Sequence, residues 1–218
     1  MDQHSEYSEQ DEAAADAAKA EALFRLPCAF VKGVVSVAGL PDEALPEVAF
    51  AGRSNVGKSS LLNALIAQGQ LARTSNTPGR TRELNYFRFG DAAHIVDMPG
   101  YGYARAAKTL VKGWQRLVQD YLRGRTQLAR VFLLIDSRHG VKPNDREAMT
   151  LMDKSAVSYQ LVLTKTDKLK ASELDEVFAA TLAEIGKHAA AYPQLVATSA
   201  EKKTGIDELR TAVARVLL

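Results

Sequence analysis

The sequence predicts an α/β fold, with a mostly parallel six-stranded sheet and helices on both faces. Six apolar runs bounded by turn residues alternate with helix-length segments, and such alternation places parallel strands side by side with helices crossing over either face. The runs at 84–89 and 94–97 are joined by Gly90-Asp91. That short connection predicts a tight hairpin and therefore one antiparallel strand.

The elements follow in chain order. Residues 1–22 contain seven acidic residues, one lysine and almost no large apolar side chains, which predicts a disordered acidic tail. The valine-rich run 30–37 suggests an edge strand or a strap before the core. The six strands are expected at 47–51, 84–89, 94–97, 131–136, 159–164 and 195–198. Helices are expected at 58–68, 109–123, 144–153, 172–188 and 206–216.

Composition excludes several classes of protein. The chain is 46% apolar and 25% charged, as in soluble globular domains, and no apolar run reaches the ~18 residues of a membrane span. The start has no basic or apolar leader, so we expect a cytoplasmic protein. Cys28 is the only cysteine, which rules out an internal disulfide, and the four histidines lack zinc-site spacing.

The charge is unevenly distributed. Residues 1–22 carry a net −6 and the whole chain +2, so residues 23–218 carry +8. Between Tyr101 and Arg130 there are seven bases and one acid, Asp120. This distribution fits a polyanionic partner such as RNA. A solvated helix face is the alternative explanation.

A phosphate-binding loop lies between the first predicted strand and helix. The sequence Gly52-Arg53-Ser54-Asn55-Val56-Gly57-Lys58-Ser59 is a complete G-x-x-x-x-G-K-S, followed by Ser60. Its glycines allow backbone N–H groups to cradle a polyphosphate at the positive end of the helix. Lys58 would neutralise the outer phosphates, and the Ser59 hydroxyl would bind Mg²⁺. The pattern predicts a P-loop NTPase; a turn whose glycines only satisfy geometry is the alternative.

Two further segments complete the phosphate site. Asp97-Met98-Pro99-Gly100 ends a predicted strand and matches D-x-x-G, which places Asp97 near Mg²⁺ through a water and the Gly100 N–H at the γ-phosphate. Gly79-Arg80-Thr81 lies in a turn-rich segment typical of a switch loop, and Thr81 is the predicted second Mg²⁺ hydroxyl. Thr74 and Thr77 are competing choices. The predicted catalytic groups are Lys58, Thr81 and Gly100.

Guanine selectivity is predicted by two downstream motifs. Thr164-Lys165-Thr166-Asp167 ends a predicted strand. The Asp167 carboxylate can accept from both N1–H and the exocyclic amine of guanine, while the stem of Lys165 covers the base plane. Thr198-Ser199-Ala200 follows the last strand, where backbone N–H groups can approach guanine O6. In this order after the phosphate loop, the motifs indicate GTP rather than ATP.

Taken together, these motifs resemble the translation-factor-related GTPases, and D-M-P-G-Y-G-Y-A with T-K-T-D resembles the bacterial EngB family, also called YihA or YsxC. The resemblance covers residues 23–218 and implies a Ras-like G domain. It also implies a monomeric cytoplasmic GTPase that assists large ribosomal subunit assembly and is needed for growth and cell division. Ribosomal RNA would then bind the basic stretch from Arg105 to Arg130. Thr164 replaces the asparagine of most GTPases.

Hydrolysis is expected to be slow. Tyr101 follows Gly100 at the position that carries a water-orienting glutamine in Ras-type enzymes, and a phenol does not replace that amide. Asn55 occupies the position that holds K⁺ in related potassium-activated GTPases; the alternative is that it only braces the loop. Two other functions stay open: a P-loop kinase or ATPase, and a GTP-dependent regulator of a non-ribosomal partner.

Overall fold

The computed structural model describes residues 3–68, 83–101 and 108–218, with side chains except at 3–10 and 108–115. The strands are β1 (Cys28–Val34), β2 (Glu47–Gly52), β3 (Leu84–Phe89), β4 (Ala93–Asp97), β5 (Leu128–Asp136), β6 (Tyr159–Thr164) and β7 (Val196–Ala197). The helices are α1 (Gln3–Arg25), α2 (Lys58–Ile66), α3 (Lys108–Gly124), α4 (Pro143–Lys154), α5 (Ala171–Ile185) and α6 (Ile206–Leu217).

The strands form one sheet in the order β1-β3-β4-β2-β5-β6-β7. β3 is antiparallel to β1 and β4, and the remaining pairs are parallel. The predicted hairpin is confirmed: β3 and β4 pair from Asn85 opposite Asp97 to Phe89 opposite Ala93, and Gly90 at the turn has φ +48°. The carboxyl ends of the parallel strands lie at the same edge, which brings the loops that follow them together.

The six expected strands are present, and in the described residues β1 adds a seventh at the edge of the sheet, which confirms the edge strand suggested for the run at 30–37 with bounds of Cys28–Val34. It pairs with β3 from Cys28 opposite Phe89 to Val34 opposite Leu84, with a bulge between Phe30 and Lys32. Residues 29–33 are all exposed, so this strand buries too little of either face to produce a clear alternation in the sequence.

The acidic segment differs from the expectation for residues 1–22, because it forms helix α1 instead of a disordered tail. Ala20, Leu23 and Phe24 share one face of its last turns and are buried. The Phe24 ring packs edge-to-face against the Phe89 ring, with the two ring centroids 5.3 Å apart. On α6, Arg215 Nε donates to Asp16 Oδ2 at 2.5 Å. Alanine-rich sequence favours a helix, and these contacts supply the apolar burial that composition alone did not reveal.

Helices cover both faces of the sheet. The face carrying α1, α2 and α6 packs around Phe50 and Phe132, whose rings stack at 5.2 Å. The face carrying α3, α4 and α5 packs around Tyr121, Met149 and Tyr159, all fully buried. These two cores fix the strands that lead into the site. Within the described ranges, no helix combines the length and apolar composition needed to cross a bilayer.

Candidate functional site

The phosphate loop connects the carboxyl end of β2 to the start of α2. A side chain at Gly52 would place its Cβ 2.8 Å from Val56 Cγ1, so the loop can fold back on the strand only over glycine. Gly57 has φ +101° and Asn55 φ +65°, both in the left-handed region. The turn delivers the chain to Lys58, the first residue of α2, with Ser59 and Ser60 in its first turn. Unpaired N–H groups at a helix start favour an anion.

Lys58 and Asp97 meet at this loop. Lys58 Nζ donates to Asp97 Oδ1, and both side chains are largely buried, at 12% and 14% exposure. Asp97 ends β4, which pairs with β2 so that Asp97 lies opposite Phe50. The sheet therefore brings the lysine of the phosphate loop and the carboxylate of D-x-x-G together, although 39 residues separate them.

The rest of D-x-x-G runs alongside the phosphate loop. Met98 N–H donates to Phe50 O at 2.9 Å, Tyr101 N–H to Gly52 O at 3.2 Å, and Ser54 N–H to Tyr101 O at 3.0 Å. After Pro99 the chain passes so close that a Cβ at Gly100 would lie 3.1 Å from Ser54 Oγ and 3.2 Å from Ser54 N. Glycine at position 100 therefore lets the two loops approach this closely without a shift of Ser54.

The threonine of T-K-T-D braces the phosphate loop. Thr164 Oγ1 donates to Val56 O at 2.7 Å and is 3% exposed. The next residue, Lys165, has φ +60° and donates from Nζ to Asn55 O at 2.6 Å. The Lys165 stem crosses Gly57, where an added Cβ would lie 3.4 Å from Lys165 Cε. Two successive residues of β6 and its loop therefore hold the phosphate loop from one side.

Asp136, at the end of β5, is a site residue that sequence reasoning missed. Its Oδ2 accepts from Lys165 Nζ at 2.8 Å and from Arg138 Nη2 at 2.7 Å, while Arg138 Nε reaches Oδ1 at 2.9 Å. Burial by itself would raise the pKa of Asp136, but the bonds from Arg138 and Lys165 outweigh burial and hold the pKa well below its usual range. The ionised carboxylate orients the lysine expected over the base. Only its position at a strand end, two residues before an arginine, could have pointed to it.

Asp167, the carboxylate predicted to bind guanine, is oriented by the loop after β7. Ser199 Oγ donates to Asp167 Oδ1 at 2.5 Å and accepts from Lys202 N–H at 3.0 Å. Lys168 Nζ lies 3.0 Å from Asp167 Oδ2. The hydrogen bond from Ser199, and then the contact with Lys168, lower the pKa of Asp167, so the group is ionised and acceptor-only at neutral pH.

The two base loops are joined through their backbones. Thr166 N–H donates to Thr198 O at 3.2 Å, and both N–H and Oγ1 of Thr198 donate to Leu163 O. A Cβ at Gly205 would lie 1.9 Å from Ala197 O, and its φ is +70°. Because glycine alone fits there, the chain can return tightly after Ala200 and hold Ser199 against Asp167.

Part of the predicted site lies outside the described residues. This applies to Gly79, Arg80 and Thr81, to Thr74 and Thr77, and to Arg105.

The predicted basic surface is only partly as expected. Arg125 is turned inward: its side chain is 9% exposed and its Nε donates to Glu47 Oε1 at 2.9 Å. Arg130 stacks over the Tyr192 ring, with Cζ 3.9 Å from the centroid. Arg116 and Arg123 are exposed on α3. The sequence run from Arg105 to Arg130 therefore overstates the free positive charge, because two of its bases are held by partners distant in sequence.

Comparison with known proteins identifies similar chains. A family model described as "50S ribosome-binding GTPase" matches residues 47–165, and one described as "Elongation factor Tu GTP binding domain" matches residues 113–218. "Probable GTP-binding protein EngB" of Rhodospirillum rubrum is 56% identical over 95% of this chain and 92% of that protein. The protein of the same name from Rhizobium etli (strain ATCC 51251 / DSM 11541 / JCM 21823 / NBRC 15573 / CFN 42) is 59% identical over 89% of this chain and 94% of that protein.

Solved structures share the fold. A crystal structure of a probable GTP-binding protein engB has a TM-score of 0.60 at 24% identity and covers 78% of this chain and 98% of its own. Era in complex with MgGDPNP and nucleotides 1506–1542 of 16S ribosomal RNA has a TM-score of 0.63 at 23% identity. It covers 80% of this chain and 57% of its own.

Proposed function

The chain belongs to the EngB family of GTP-binding proteins, and from that membership we propose that it is a GTP-driven switch assisting assembly of the large ribosomal subunit. Through that role it would support growth and cell division. GTPase activity follows from the family and the fold, which sets aside the kinase or ATPase alternative. The observation that supports the ribosomal role is the matching family model, described as a 50S ribosome-binding GTPase.

The residues present fit Mg²⁺ as the cofactor. Ser59 offers a hydroxyl at the start of α2, and Asp97 offers a carboxylate at the end of β4. Both lie at the carboxyl edge of the parallel strands. Hard oxygen donors of this kind suit Mg²⁺, which takes few protein ligands and completes its shell with phosphate oxygens and water. Thr81 is proposed as the second hydroxyl. When bound, the ion would neutralise charge on the β- and γ-phosphates.

Hydrolysis would rest mainly on charge stabilisation. Lys58 carries its ammonium at the loop, and Gly100 lies beside Ser54, where its N–H can serve the γ-phosphate. Tyr101 contributes no water-orienting group, because its hydroxyl is bonded to Asp145 at 2.8 Å. The intrinsic rate would therefore be slow, and a ribosomal partner, Arg80 or Arg82, or a monovalent cation would supply the missing positive charge.

Asn55 is the residue through which K⁺ would act. It is exposed within the phosphate loop, and its carbonyl accepts a hydrogen bond from Lys165. Single-turnover hydrolysis in KCl and NaCl at equal ionic strength, for the wild type and Asn55→Ala, tests this role. Faster hydrolysis in KCl that is lost in the variant supports it. Equal wild-type rates in the two salts exclude it and leave the ribosome as the main activator.

Binding of ribosomal RNA is proposed through the basic residues of α3. Arg116 and Arg123 are exposed, and Lys108 and Lys112 precede Arg116 at intervals of four along the same helix. Basic groups of this kind bind phosphates with release of counterions, so affinity falls steeply with salt. Arg125 and Arg130 are left out of this surface because they are paired within the protein.

Co-sedimentation with large ribosomal subunits tests the proposal. We expect binding with a non-hydrolysable GTP analogue and loss of binding with GDP. Replacing Lys108, Lys112 and Arg116 by glutamine should weaken binding and flatten its salt dependence without changing GTP affinity. A control that replaces Lys32, Lys154 and Lys170, which are exposed and lie outside α3, matches the loss of charge. If the wild type binds GTP tightly but sediments with subunits in neither state, the partner is not ribosomal.

A further inference from the structure

A buried carboxylate on α4 joins the two loops that surround the phosphate site. Asp145 lies in the first turn of α4 and its side chain has no exposed surface. Asp145 Oδ1 accepts from Tyr101 Oη at 2.8 Å and lies 3.2 Å from Arg53 Nε. Its other oxygen, Oδ2, accepts from Lys142 N–H at 2.8 Å. Both carboxylate oxygens are therefore engaged.

The two side chains that reach Asp145 come from different nucleotide motifs. Arg53 is the second residue of the phosphate loop, and Tyr101 directly follows D-x-x-G. Their backbones are already paired, since Tyr101 N–H donates to Gly52 O and Ser54 N–H donates to Tyr101 O. Asp145 adds a side-chain connection to this pairing and anchors both loops to a helix that does not belong to the nucleotide site.

The contacts of Asp145 with Tyr101 and Arg53 are favoured because an unpaired buried carboxylate would destabilise the fold. A buried carboxylate is stable only while its partners are in position, and the loss of one partner leaves a desolvated charge. Burial, followed by the negative charge of Asp145, raises the pKa of Tyr101, so the phenol keeps its proton and remains a donor at neutral pH. Tyr101 is thereby kept on the α4 side of the phosphate loop.

We propose that Asp145 is a positioning residue for triphosphate recognition: through Tyr101 and Arg53 it holds Gly100 against Ser54, at the place from which the Gly100 N–H reaches the γ-phosphate. GDP has no γ-phosphate, so its binding does not draw on this contact. The contacts of Asp145 with Tyr101 and Arg53 therefore favour GTP over GDP, because they order Gly100 before the nucleotide binds. The inference rests on GTP as the ligand and is independent of the ribosomal partner.

Tyr101→Phe is the decisive variant because it keeps the ring and removes only the hydroxyl. We expect affinity for a non-hydrolysable GTP analogue with Mg²⁺ to fall roughly three- to tenfold, because only part of the cost of losing one hydrogen bond to a charged acceptor falls on nucleotide binding. Affinity for GDP should stay unchanged. Asp145→Asn retains an acceptor for Lys142 N–H. It should also lower the ratio of the affinity for the GTP analogue to the affinity for GDP. The double variant should be no worse than the more affected single variant, because the two groups act as a unit.

The control is Tyr159→Phe. Tyr159 is fully buried and its hydroxyl lies 3.5 Å from Asp153 Oδ1, near the opposite end of α4. This variant should lower the melting temperature without changing the ratio of GTP to GDP affinity. The proposal is overturned if Tyr101→Phe leaves that ratio unchanged, whether both affinities fall together or neither does. Asp145 would then only brace the fold. The measurement needs purified protein and nucleotide alone, so a failed ribosomal role leaves it unaffected.

Discussion

Thr164 provides a direct test of how the guanine motif supports the phosphate loop. Its hydroxyl donates to Val56 O at 2.7 Å from a side chain that is 3% exposed. Thr164→Val keeps the shape and removes the donor. Because Val56 lies inside the phosphate loop, its carbonyl loses a buried partner at the point where the loop turns toward α2. We expect a less ordered loop and weaker binding of both GTP and GDP.

The size of the effect follows from the cost of a lost buried hydrogen bond. Leaving a buried acceptor unpaired costs about 1–3 kcal/mol. That cost divides between the stability of the free protein and the ordering of the loop when nucleotide binds. If ~1 kcal/mol falls on binding, affinity drops about fivefold, and ~2 kcal/mol gives about thirtyfold. GTP and GDP should be affected equally, since the bond touches neither the γ-phosphate site nor Gly100.

Titration with fluorescent GDP and a GTP analogue measures the affinities, and thermal unfolding without nucleotide measures the stability. Thr181→Val is the matched control: Thr181 is 1% exposed and its hydroxyl donates to Val177 O, also at 2.7 Å, within α5 and away from the site. Only Thr164→Val should weaken nucleotide binding. If it binds GDP as tightly as the wild type while losing stability like Thr181→Val, the hydroxyl has no role in the nucleotide site.

Asp167→Asn should weaken the binding of GDP and GTP about tenfold or more and favour xanthosine nucleotides, because the amide matches xanthine but leaves guanine donors unpaired. Competition titration measures these affinities, and undiminished GTP binding contradicts the prediction. Asp136→Asn should weaken GTP and GDP equally, about three- to tenfold, since Lys165 loses its charged partner; unchanged affinities contradict the orienting role of Asp136. Burial lowers the pKa of His94 despite the opposing charge of Glu47, so the folded state favours the neutral ring. Below the ordinary pKa of 6.5 the unfolded chain gains a proton on this histidine, and the stability of the folded state should therefore fall as the pH drops. The fall in melting temperature between pH 7.5 and 5.5 should be smaller in His94→Gln, and equal falls would show that this histidine does not contribute.

The local structure of the predicted nucleotide site could be foreseen because its residues lie in short contiguous motifs. Residues 52–59 form the predicted loop between β2 and α2, and Asp97 ends β4 as expected. Glycine at 52 and 57 is required by the close approach to Val56 and by a positive φ, which are properties of the local backbone. The predicted α/β fold class is confirmed for the same reason, since strand and helix periodicity are local signals.

Contacts between distant residues were beyond sequence reasoning. Asp136 and Asp145 carry no motif, yet the first lies against Lys165, 29 residues away, and the second against Tyr101, 44 residues away. The sequence suggested that Arg125 carries free positive charge, but in the fold its side chain donates to Glu47, 78 residues away.

Short motifs in the sequence were therefore enough to predict a guanine nucleotide as the ligand, from the phosphate loop and from the carboxylate expected to bind the base. Only the folded chain shows how those motifs are held, which arginines are exposed and that helix α1 packs on α6. The physical reason is that a motif is defined by covalent spacing. The partner of a buried charge or an exposed edge is instead set by strand register and helix packing, which exist only in the folded chain.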